Sequence, residues 1–373
     1  MRTGELLQRQ LLSPPAMVLD VSGGIGVYAA CLAAVATAWI WYASWASGET
    51  DYCSASSPDR RQKVAAQIMV RSRVPELDDE LRRRLGRRFG SGIGSWLDGL
   101  PPVLADLGGR WRIDFESIIQ RGSMSVVIRC RTADGRPAVL KISPDRRRVT
   151  EEAAALAWWK TVHVPAVLAV DERVGGLLIE AVEPGTPLAE SVAAYPRPES
   201  VAALMTSLHL QSVPDYSYRP VAERIANLYE SGRKNYERRP QLATLIPPKL
   251  YERGCQLAMR LSADAPTTVL LHGDLTPVNV LDGGERGLVA IDPAPCLGDP
   301  AFDAIDIVLW QAEDVKTITT RVEQLAPTIG VEAGRLFRWC AAFAAMTALE
   351  IAEASHAVDK RAELFAALAK AET

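Results

Sequence analysis

The sequence predicts an α+β fold with two lobes, a small mixed β lobe followed by a larger, mainly helical lobe. Three observations predict this arrangement. Residues 111–183 contain short runs rich in β-branched residues, separated by turn signals. Beyond residue 186 the apolar residues recur mostly at helical spacing. A short β segment at 268–292 interrupts these helices and carries a cluster of polar residues, so we expect the functional loop there.

The composition is that of a folded protein with more than one structural unit. A chain of 373 residues has room for two or three hydrophobic cores, and 48% hydrophobic with 23% charged residues excludes wholesale disorder. The net charge of −3 argues against a nucleic-acid partner and leaves room for an acidic pocket that attracts a cationic substrate. The six cysteines form no CxxC pair, which indicates reduced thiols in a cytoplasmic protein.

Residues 1–68 form an N-terminal extension that differs from the rest of the chain. The 28 residues between Asp20 and Glu49 carry no charge, so the stretch 21–47 is long enough to span a bilayer. A competing interpretation is that the protein starts at Met69 and that the extension results from a mis-assigned start codon. We favour the second interpretation and expect no membrane partner unless residues 21–47 are a real anchor.

Residues 69–110 are predicted to be lead-in helices. The segment 76–100 alternates acidic and basic groups, and its apolar side chains recur at the spacing of an amphipathic helix. These side chains are Leu81, Leu85, Phe89 and Trp96. The glycine-rich stretch 90–94 does not follow a strand within a βαβ unit, so we interpret it as a helix end or loop, not as a nucleotide-binding loop.

Residues 111–183 are predicted to form the β lobe. A helix is expected within it from about Thr150, as the N-cap, to Lys160. A proline-glycine pair then breaks the chain, and residues 184–373 make the helical lobe with the polar loop. The expected strands cover 111–115, 125–130, 138–142, 166–171 and 176–180.

The polar loop carries the residues that phosphoryl transfer needs. That reaction requires an acceptor for the proton of the attacking hydroxyl and metal ions that neutralise charge on the phosphates. Asp274, in His272-Gly273-Asp274, supplies the base, while Asn279 and Asp292 supply oxygen ligands suited to Mg²⁺. The spacing matches the H-x-D-x-x-x-x-N and later Asp signature of eukaryotic-type kinases, although Asp292-Pro293-Ala294 replaces Asp-Phe-Gly. Agreement at several positions separates this motif from a lone turn-forming Asp.

The β lobe is expected to bind the nucleotide. Lys141, in the third predicted strand, is placed to pair with the α- and β-phosphates of ATP, and a glutamate of the following helix should hold it. Glu152 is the first choice for that glutamate and Glu151 the second.

Two further segments are candidate nucleotide contacts. The turn at residues 121–125 is the expected phosphate-covering loop, where backbone amides with Gly122, Ser123 or Ser125 would cradle phosphate. The segment that joins the lobes contains Glu180 and Val182, and its backbone is expected to hydrogen-bond adenine. That expectation rests on position alone.

From about Val74 to about Ala369 the chain resembles the aminoglycoside phosphotransferases, more narrowly the streptomycin 6-kinase and hydroxyurea phosphotransferase group of antibiotic-resistance kinases. The most specific element is the run from Ile291 to Pro300, which follows the motif with Asp274 and Asn279. Supporting matches are Trp96-Leu97-Asp98-Gly99-Leu100-Pro101, Leu208-His209 and Gly298-Asp299-Pro300-Ala301-Phe302-Asp303.

The resemblance implies a protein-kinase-like fold, ATP and Mg²⁺ as co-substrates, and O-phosphorylation of a drug hydroxyl. It implies that Asp274 is the catalytic base and that Asn279 and Asp292 are magnesium ligands. Asp299 and Asp303 are expected to brace the active loop. Thr276 stands where many relatives carry a polar ring, which puts the identity of the drug in doubt.

Substrate selection is expected in the C-terminal helices. Glu350, and with less support Glu313, are acidic residues that would meet an amine or guanidinium of an aminoglycoside, whereas hydroxyurea is uncharged and needs neither. An alternative is a kinase of a metabolite alcohol such as choline, homoserine or a sugar. A pseudokinase or membrane-anchored binding module is a third interpretation, and the joint presence of Lys141, Asp274 and Asp292 argues against it.

Overall fold

The computed structural model of the protein describes residues 74–120, 124–191, 195–210, 212–354 and 359–372. The N-terminal extension, with the candidate anchor at 21–47, lies outside these residues. Within them, no helix is both long enough and apolar enough to cross a membrane.

The first half of the described chain contains four helices and five strands. In chain order they are α1 (Asp79–Phe89), α2 (Ile93–Asp98), α3 (Leu100–Trp111), β1 (Ile113–Ile119), β2 (Val126–Thr132), β3 (Pro137–Ile142), α4 (Arg146–Trp159), β4 (Val167–Asp171) and β5 (Gly176–Glu180).

The second half is mainly helical, with four short strands. Its elements are α5 (Pro198–His209), α6 (Val221–Arg238), α7 (Leu242–Leu245), α8 (Pro248–Ala263), β6 (Val269–Leu271), β7 (Val280–Asp282), β8 (Leu288–Ala290), β9 (Cys296–Gly298), α9 (Ala301–Leu309), α10 (Val315–Leu325), α11 (Ala333–Ala354) and α12 (Lys360–Glu372).

The expected helix over 76–100 is interrupted. Gly90 ends α1 with φ of 79°, a left-handed conformation that a glycine adopts without strain, and α2 starts three residues later. The helix expected from Thr150 begins earlier, at Arg146, because the carboxylate of Asp145 accepts a hydrogen bond from the Arg148 amide and caps it.

The β lobe is a five-stranded antiparallel sheet in the order β1-β2-β3-β5-β4. Alternation along β3 buries Leu140 and Ile142 against the apolar faces of α1 to α3. Lys141 therefore points to the opposite face, where α4 packs. The lead-in helices thus cover one face of the sheet and leave the other face to the functional residues.

The helical lobe is built around α11, whose side chains from Leu336 to Leu349 are largely buried. Two short antiparallel pairs, β6 with β9 and β7 with β8, lie at its edge toward the β lobe. The four cysteines among the described residues are free thiols, as expected: Cys130, Cys255, Cys296 and Cys340.

Asp299 joins the start of α9 to α11 inside this lobe. Its side chain is 1% exposed and accepts hydrogen bonds from Arg335 Nε at 2.6 Å, Trp339 Nε1 at 2.8 Å and the Ala301 amide at 2.9 Å. A buried charge with this many donors stabilises the fold only while all partners are present.

We expect Asp299→Ala to lower the free energy of unfolding by about 3–5 kcal/mol, because it leaves the buried Arg335 guanidinium without its carboxylate. Asp264→Ala is the matched control. Asp264 faces the same guanidinium at 3.8 Å but is 90% exposed, so its loss should cost about 1 kcal/mol or less. Urea denaturation measures both variants, and equal losses would contradict the prediction.

Candidate active site

The loop between β6 and β7 is held at its start by a buried carboxylate of α9. Asp303 accepts hydrogen bonds from the His272 amide at 2.7 Å, the Gly273 amide at 2.8 Å and His209 Nε2 at 2.9 Å. Gly273 has φ of 75°, and a Cβ there would lie 2.1 Å from the carbonyl oxygen of Ala294. Only glycine fits this position, and Asp303 braces the loop as the resemblance implied.

His272 connects this loop to the segment that precedes Asp292. Its Nδ1 accepts a hydrogen bond from the Asp274 amide at 3.3 Å, so its Nε2 is the protonated nitrogen that donates to the Ile291 carbonyl at 3.0 Å. The ring stacks on Trp159 and is fully buried. Burial lowers the pKa of His272, although Asp303 and Asp274 oppose the effect. The ring is therefore a neutral structural link.

Both carboxylate oxygens of Asp274 are hydrogen-bonded. Oδ1 accepts from Arg224 Nη2 at 2.8 Å, and Oδ2 accepts from Asn279 Nδ2 at 3.0 Å. The same Asn279 nitrogen also donates to the Asp274 carbonyl at 2.9 Å. Since the amide nitrogen is used in this way, the amide oxygen of Asn279 is the atom that remains to bind a cation.

A buried ammonium joins the two lobes beside a small cleft. Residues that line this cleft include Ser125, Lys141, Arg148, Glu152 and Asp292. Lys141 forms ion pairs with Glu152 of α4 and, at 2.8 Å, with Asp292 Oδ1. Burial would lower the pKa of Lys141, but the charges of Asp292 and Glu152 outweigh it and raise the pKa. Glu152, the first choice from the sequence, is thus the partner; Glu151 instead pairs with Arg147.

Asp292 is the partly open member of this cluster. Its side chain is 34% exposed, whereas those of Lys141 and Glu152 are 9% and 2% exposed. Burial tends to raise the pKa of Asp292, but Lys141 and Arg148 lower it to about 2. Its backbone has φ of 58°, an uncommon conformation that Asp tolerates and that often occurs at functional positions.

The expected phosphate-covering loop is described only in part. Gly122 and Ser123 lie outside the described residues. Ser125 is 7% exposed and lines the cleft beside Lys141. The adjoining Met124 carbonyl accepts a hydrogen bond from Ser143 Oγ at 2.6 Å, which ties the end of this loop to the residue after β3.

Part of the segment that joins the lobes is hydrogen-bonded to neighbouring segments of the protein. The Glu180 amide donates to the Ala166 carbonyl at 2.9 Å, and the Glu180 carboxylate accepts from Arg286 Nη1 at 2.8 Å. The Ala181 amide donates to the Pro137 carbonyl at 3.3 Å. Sequence reasoning placed Glu180 at the nucleotide, whereas these contacts use its amide and its side chain to hold neighbouring segments.

Acidic groups lie on the other side of Asp274. Asp306, one turn after Asp303 on α9, is open to solvent, yet desolvation by the surrounding protein raises its pKa to about 7, helped by repulsion from Glu350 and Asp274. Glu350 of α11 is exposed, and desolvation raises its pKa too. Glu313 is exposed in the loop before α10, and it is not among the carboxyls that raise the pKa of Asp306.

Sequence reasoning missed three residues of this site, Arg148, Arg224 and Asp306. Arg224 lies in a helix that carries no motif, about 50 residues before Asp274. Asp306 had one available signal, since it lies three residues after Asp303 and therefore on nearly the same face of a helix.

The neutral His272 ring should make stability depend on pH. Its pKa is lowered in the folded state, so below the ordinary value of 6.5 the unfolded chain binds a proton that the folded chain does not. Its contribution is therefore present above pH 6.5 and is lost as the pH falls. We expect the free energy of unfolding to drop more steeply from pH 7 to pH 5 in the wild type than in His272→Gln. Equal slopes in urea titrations would contradict the assignment.

The chain is similar to proteins of one kinase family. The aminoglycoside/hydroxyurea antibiotic resistance kinase family matches residues 110–355. Streptomycin 6-kinase of Streptomyces glaucescens is 26% identical over 308 residues, 79% of this chain and 97% of that protein. Hydroxyurea phosphotransferase of Kitasatospora aureofaciens is 29% identical over 257 residues, 68% of this chain and 73% of that protein. Among solved structures, a choline kinase from Streptococcus pneumoniae aligns with 72% of this chain and 96% of its own at 15% identity and a TM-score of 0.49.

The family match includes both lobes and the cleft between them. It extends from the start of the sheet to the end of α11, and so contains Lys141, Asp274 and Asp292. The antiparallel sheet followed by a helical lobe is the two-lobed α+β architecture predicted from the sequence, and the protein is a phosphotransferase. The chain therefore belongs to the aminoglycoside/hydroxyurea antibiotic resistance kinase family.

Proposed function

We propose that this protein transfers the γ-phosphoryl group of ATP to a hydroxyl of a cationic aminoglycoside, with streptomycin as the first substrate to test. The observation that carries the proposal is a chain of contacts: Lys141 pairs with Asp292, the amide of the preceding Ile291 donates to the Asn279 carbonyl, and Asn279 donates to Asp274. Because such an enzyme needs ATP, we place it in the cytoplasm.

On the nucleotide side, Lys141 is the proposed contact to the α- and β-phosphates. Its ion pair with Glu152 holds the ammonium in place and keeps it charged. Arg148, whose guanidinium lies 3.6 Å from Asp292 Oδ1, adds a second cation to the same wall. In the joining segment, Val182 is the proposed backbone contact to adenine, because the Glu180 and Ala181 amides already have partners.

Mg²⁺ fits the residues between these walls. The Asn279 amide oxygen and the Asp292 carboxylate are hard oxygen donors, and Mg²⁺ commonly takes one or two protein ligands and fills its other positions with water and phosphate. The pKa of Asp292, lowered to about 2, keeps its carboxylate ionised for this role. When bound, Mg²⁺ would neutralise charge on the phosphates.

Asp274 is the proposed general base. The substrate hydroxyl would donate a hydrogen bond to its carboxylate, and the proton would pass to Asp274 as the hydroxyl oxygen forms its bond to the γ-phosphorus. The bond from that phosphorus to the β-γ bridging oxygen breaks, and ADP leaves with the electron pair. Asn279 and Arg224 restrict the rotation of the carboxylate during this step.

The acidic side of the cleft favours a cationic acceptor. The charges of Glu350 and Asp274 both add to the raised pKa of Asp306, so the three carboxyls lie within one field. A guanidinium or ammonium would relieve their repulsion, whereas uncharged hydroxyurea would not. Hydroxyurea is the second candidate substrate because one of the relatives is a hydroxyurea phosphotransferase.

Asp274→Asn should lower kcat by about 10²–10⁴-fold, since an amide cannot accept the hydroxyl proton. ATP binding should be retained, because the phosphate contacts lie on the Lys141 side of the cleft. Transfer of a phosphoryl group to streptomycin, followed as the mass gain of the drug, measures turnover. A fluorescent ATP analogue measures ATP binding. Turnover at the wild-type rate would refute the assigned base.

Asp306→Asn with Glu350→Gln should raise KM for streptomycin about tenfold, the effect of losing roughly 1.4 kcal/mol of charge attraction, and leave KM for hydroxyurea unchanged. In the wild type, KM for streptomycin should fall as the pH rises through about 7, where Asp306 ionises, and this dependence should vanish in Asp306→Asn. Glu313→Gln is the matched control. If Glu313→Gln raises KM and the double variant does not, the acidic subsite is wrong.

A further inference from the structure

Arg224 grips the catalytic loop with two donors. Its Nε donates to the Gly273 carbonyl at 3.0 Å and its Nη2 donates to Asp274 Oδ1 at 2.8 Å. A planar guanidinium that bonds a backbone carbonyl and the following carboxylate fixes the orientation of both groups at once. A lysine, which offers a point charge, would not reproduce this geometry.

The helix that carries Arg224 is fixed to the strand after Asp292. The Leu297 amide donates to the Arg219 carbonyl at 2.9 Å, and Pro220 forms a parallel bridge with Leu297. Val221, the first residue of α6, packs so closely on Gly298 that a Cβ there would lie 2.5 Å from Val221 Cγ1. Arg224 therefore extends from a rigid support one turn into α6, and its side chain is 24% exposed.

The charge of Arg224 has no substitute in the loop itself. Residues 272–279 contain no lysine or arginine, and burial lowers the pKa of His272, which keeps its ring neutral. Among the described residues, Arg224 is the cation that forms a salt bridge with Asp274. Its charge also reaches Asp306, where it opposes the rise in pKa caused by desolvation and by the neighbouring carboxyls.

We propose that Arg224 is a positioning residue for phosphoryl transfer, whose guanidinium orients the Asp274 carboxylate toward the acceptor hydroxyl. The inference rests on the proposed function, in which Asp274 is the base. Loss of Arg224 should affect turnover and acceptor binding differently. Without Arg224 the base loses its orientation, so kcat falls. The acceptor side becomes more negative at the same time, so a cationic substrate binds as well as before or more tightly.

The test compares Arg224→Gln, Arg224→Lys and Arg224→Ala with Arg233→Gln, the same change on an exposed arginine farther along α6. We expect Arg224→Gln to lower kcat about 10²-fold without raising KM for streptomycin or ATP. Arg224→Lys should lie between it and the wild type. Methylguanidinium at millimolar concentration should restore kcat of Arg224→Ala at least tenfold and leave the wild type and Arg233→Gln unaffected.

Thermal melting and ATP binding of each variant separate positioning from folding. If kcat of Arg224→Gln falls only in proportion to the fraction of protein that still binds ATP, the loss is one of folding and the inference is overturned. It is also overturned if methylguanidinium does not restore the activity of Arg224→Ala and Arg224→Lys is no more active than Arg224→Gln. If Arg224→Gln keeps kcat within twofold of Arg233→Gln while Asp274→Asn is inactive, Arg224 has no positioning role and the proposed function stands. Full turnover by Asp274→Asn overturns the proposed base and the role of Arg224 with it.

Discussion

The active cleft depends on one buried ammonium that two carboxylates share. Lys141 lies in β3 and Glu152 in α4. Asp292 lies two residues after β8, 151 residues after Lys141. Removing three charges from water is costly, and the geometry compensates only if every partner is in place. Because Asp292 is one third exposed, the cluster opens toward the cleft while its other two members stay dry. The same interaction therefore aligns the lobes and presents a carboxylate for chemistry.

The catalytic loop is rigid for a different reason, since backbone groups and buried side chains satisfy each other there. Asp303 accepts hydrogen bonds from two consecutive backbone amides. The neutral His272 ring accepts one from a third amide and donates one to a carbonyl. A buried amide without a partner would cost about 1–3 kcal/mol, so these bonds define one loop conformation. The Asp274 side chain extends from this rigid loop, and Asn279 and Arg224 donate hydrogen bonds to its carboxylate. The orientation of the Asp274 carboxylate is thus determined by hydrogen bonds within the protein.

The parts of this site that were predictable from sequence are those fixed by short spacing. Asp274 and Asn279 lie five residues apart on one loop, and the Lys141–Glu152 pair joins a strand to the next helix, so local geometry brings each pair together. Arg224 comes from a helix about 50 residues before Asp274, and no local pattern indicates it. Asp306 could be inferred only from its position three residues after Asp303 on one helix. The start of α4 was misjudged because a single capping bond to the Asp145 carboxylate moved the boundary from Thr150 to Arg146.

In the proposed function, the charges in the cleft divide along the path of the phosphoryl group. Lys141 and Arg148 make the nucleotide wall cationic, and Asp306 and Glu350 make the acceptor wall acidic. Phosphates favour the first wall and an amine or guanidinium the second, so the two substrates enter from fields of opposite sign. The proposed base, Asp274, shares a field with the carboxyls of the acidic wall, and the guanidinium bonded to its Oδ1 offsets their repulsion. A cation from α6 is therefore compatible with a base that receives a cationic acceptor.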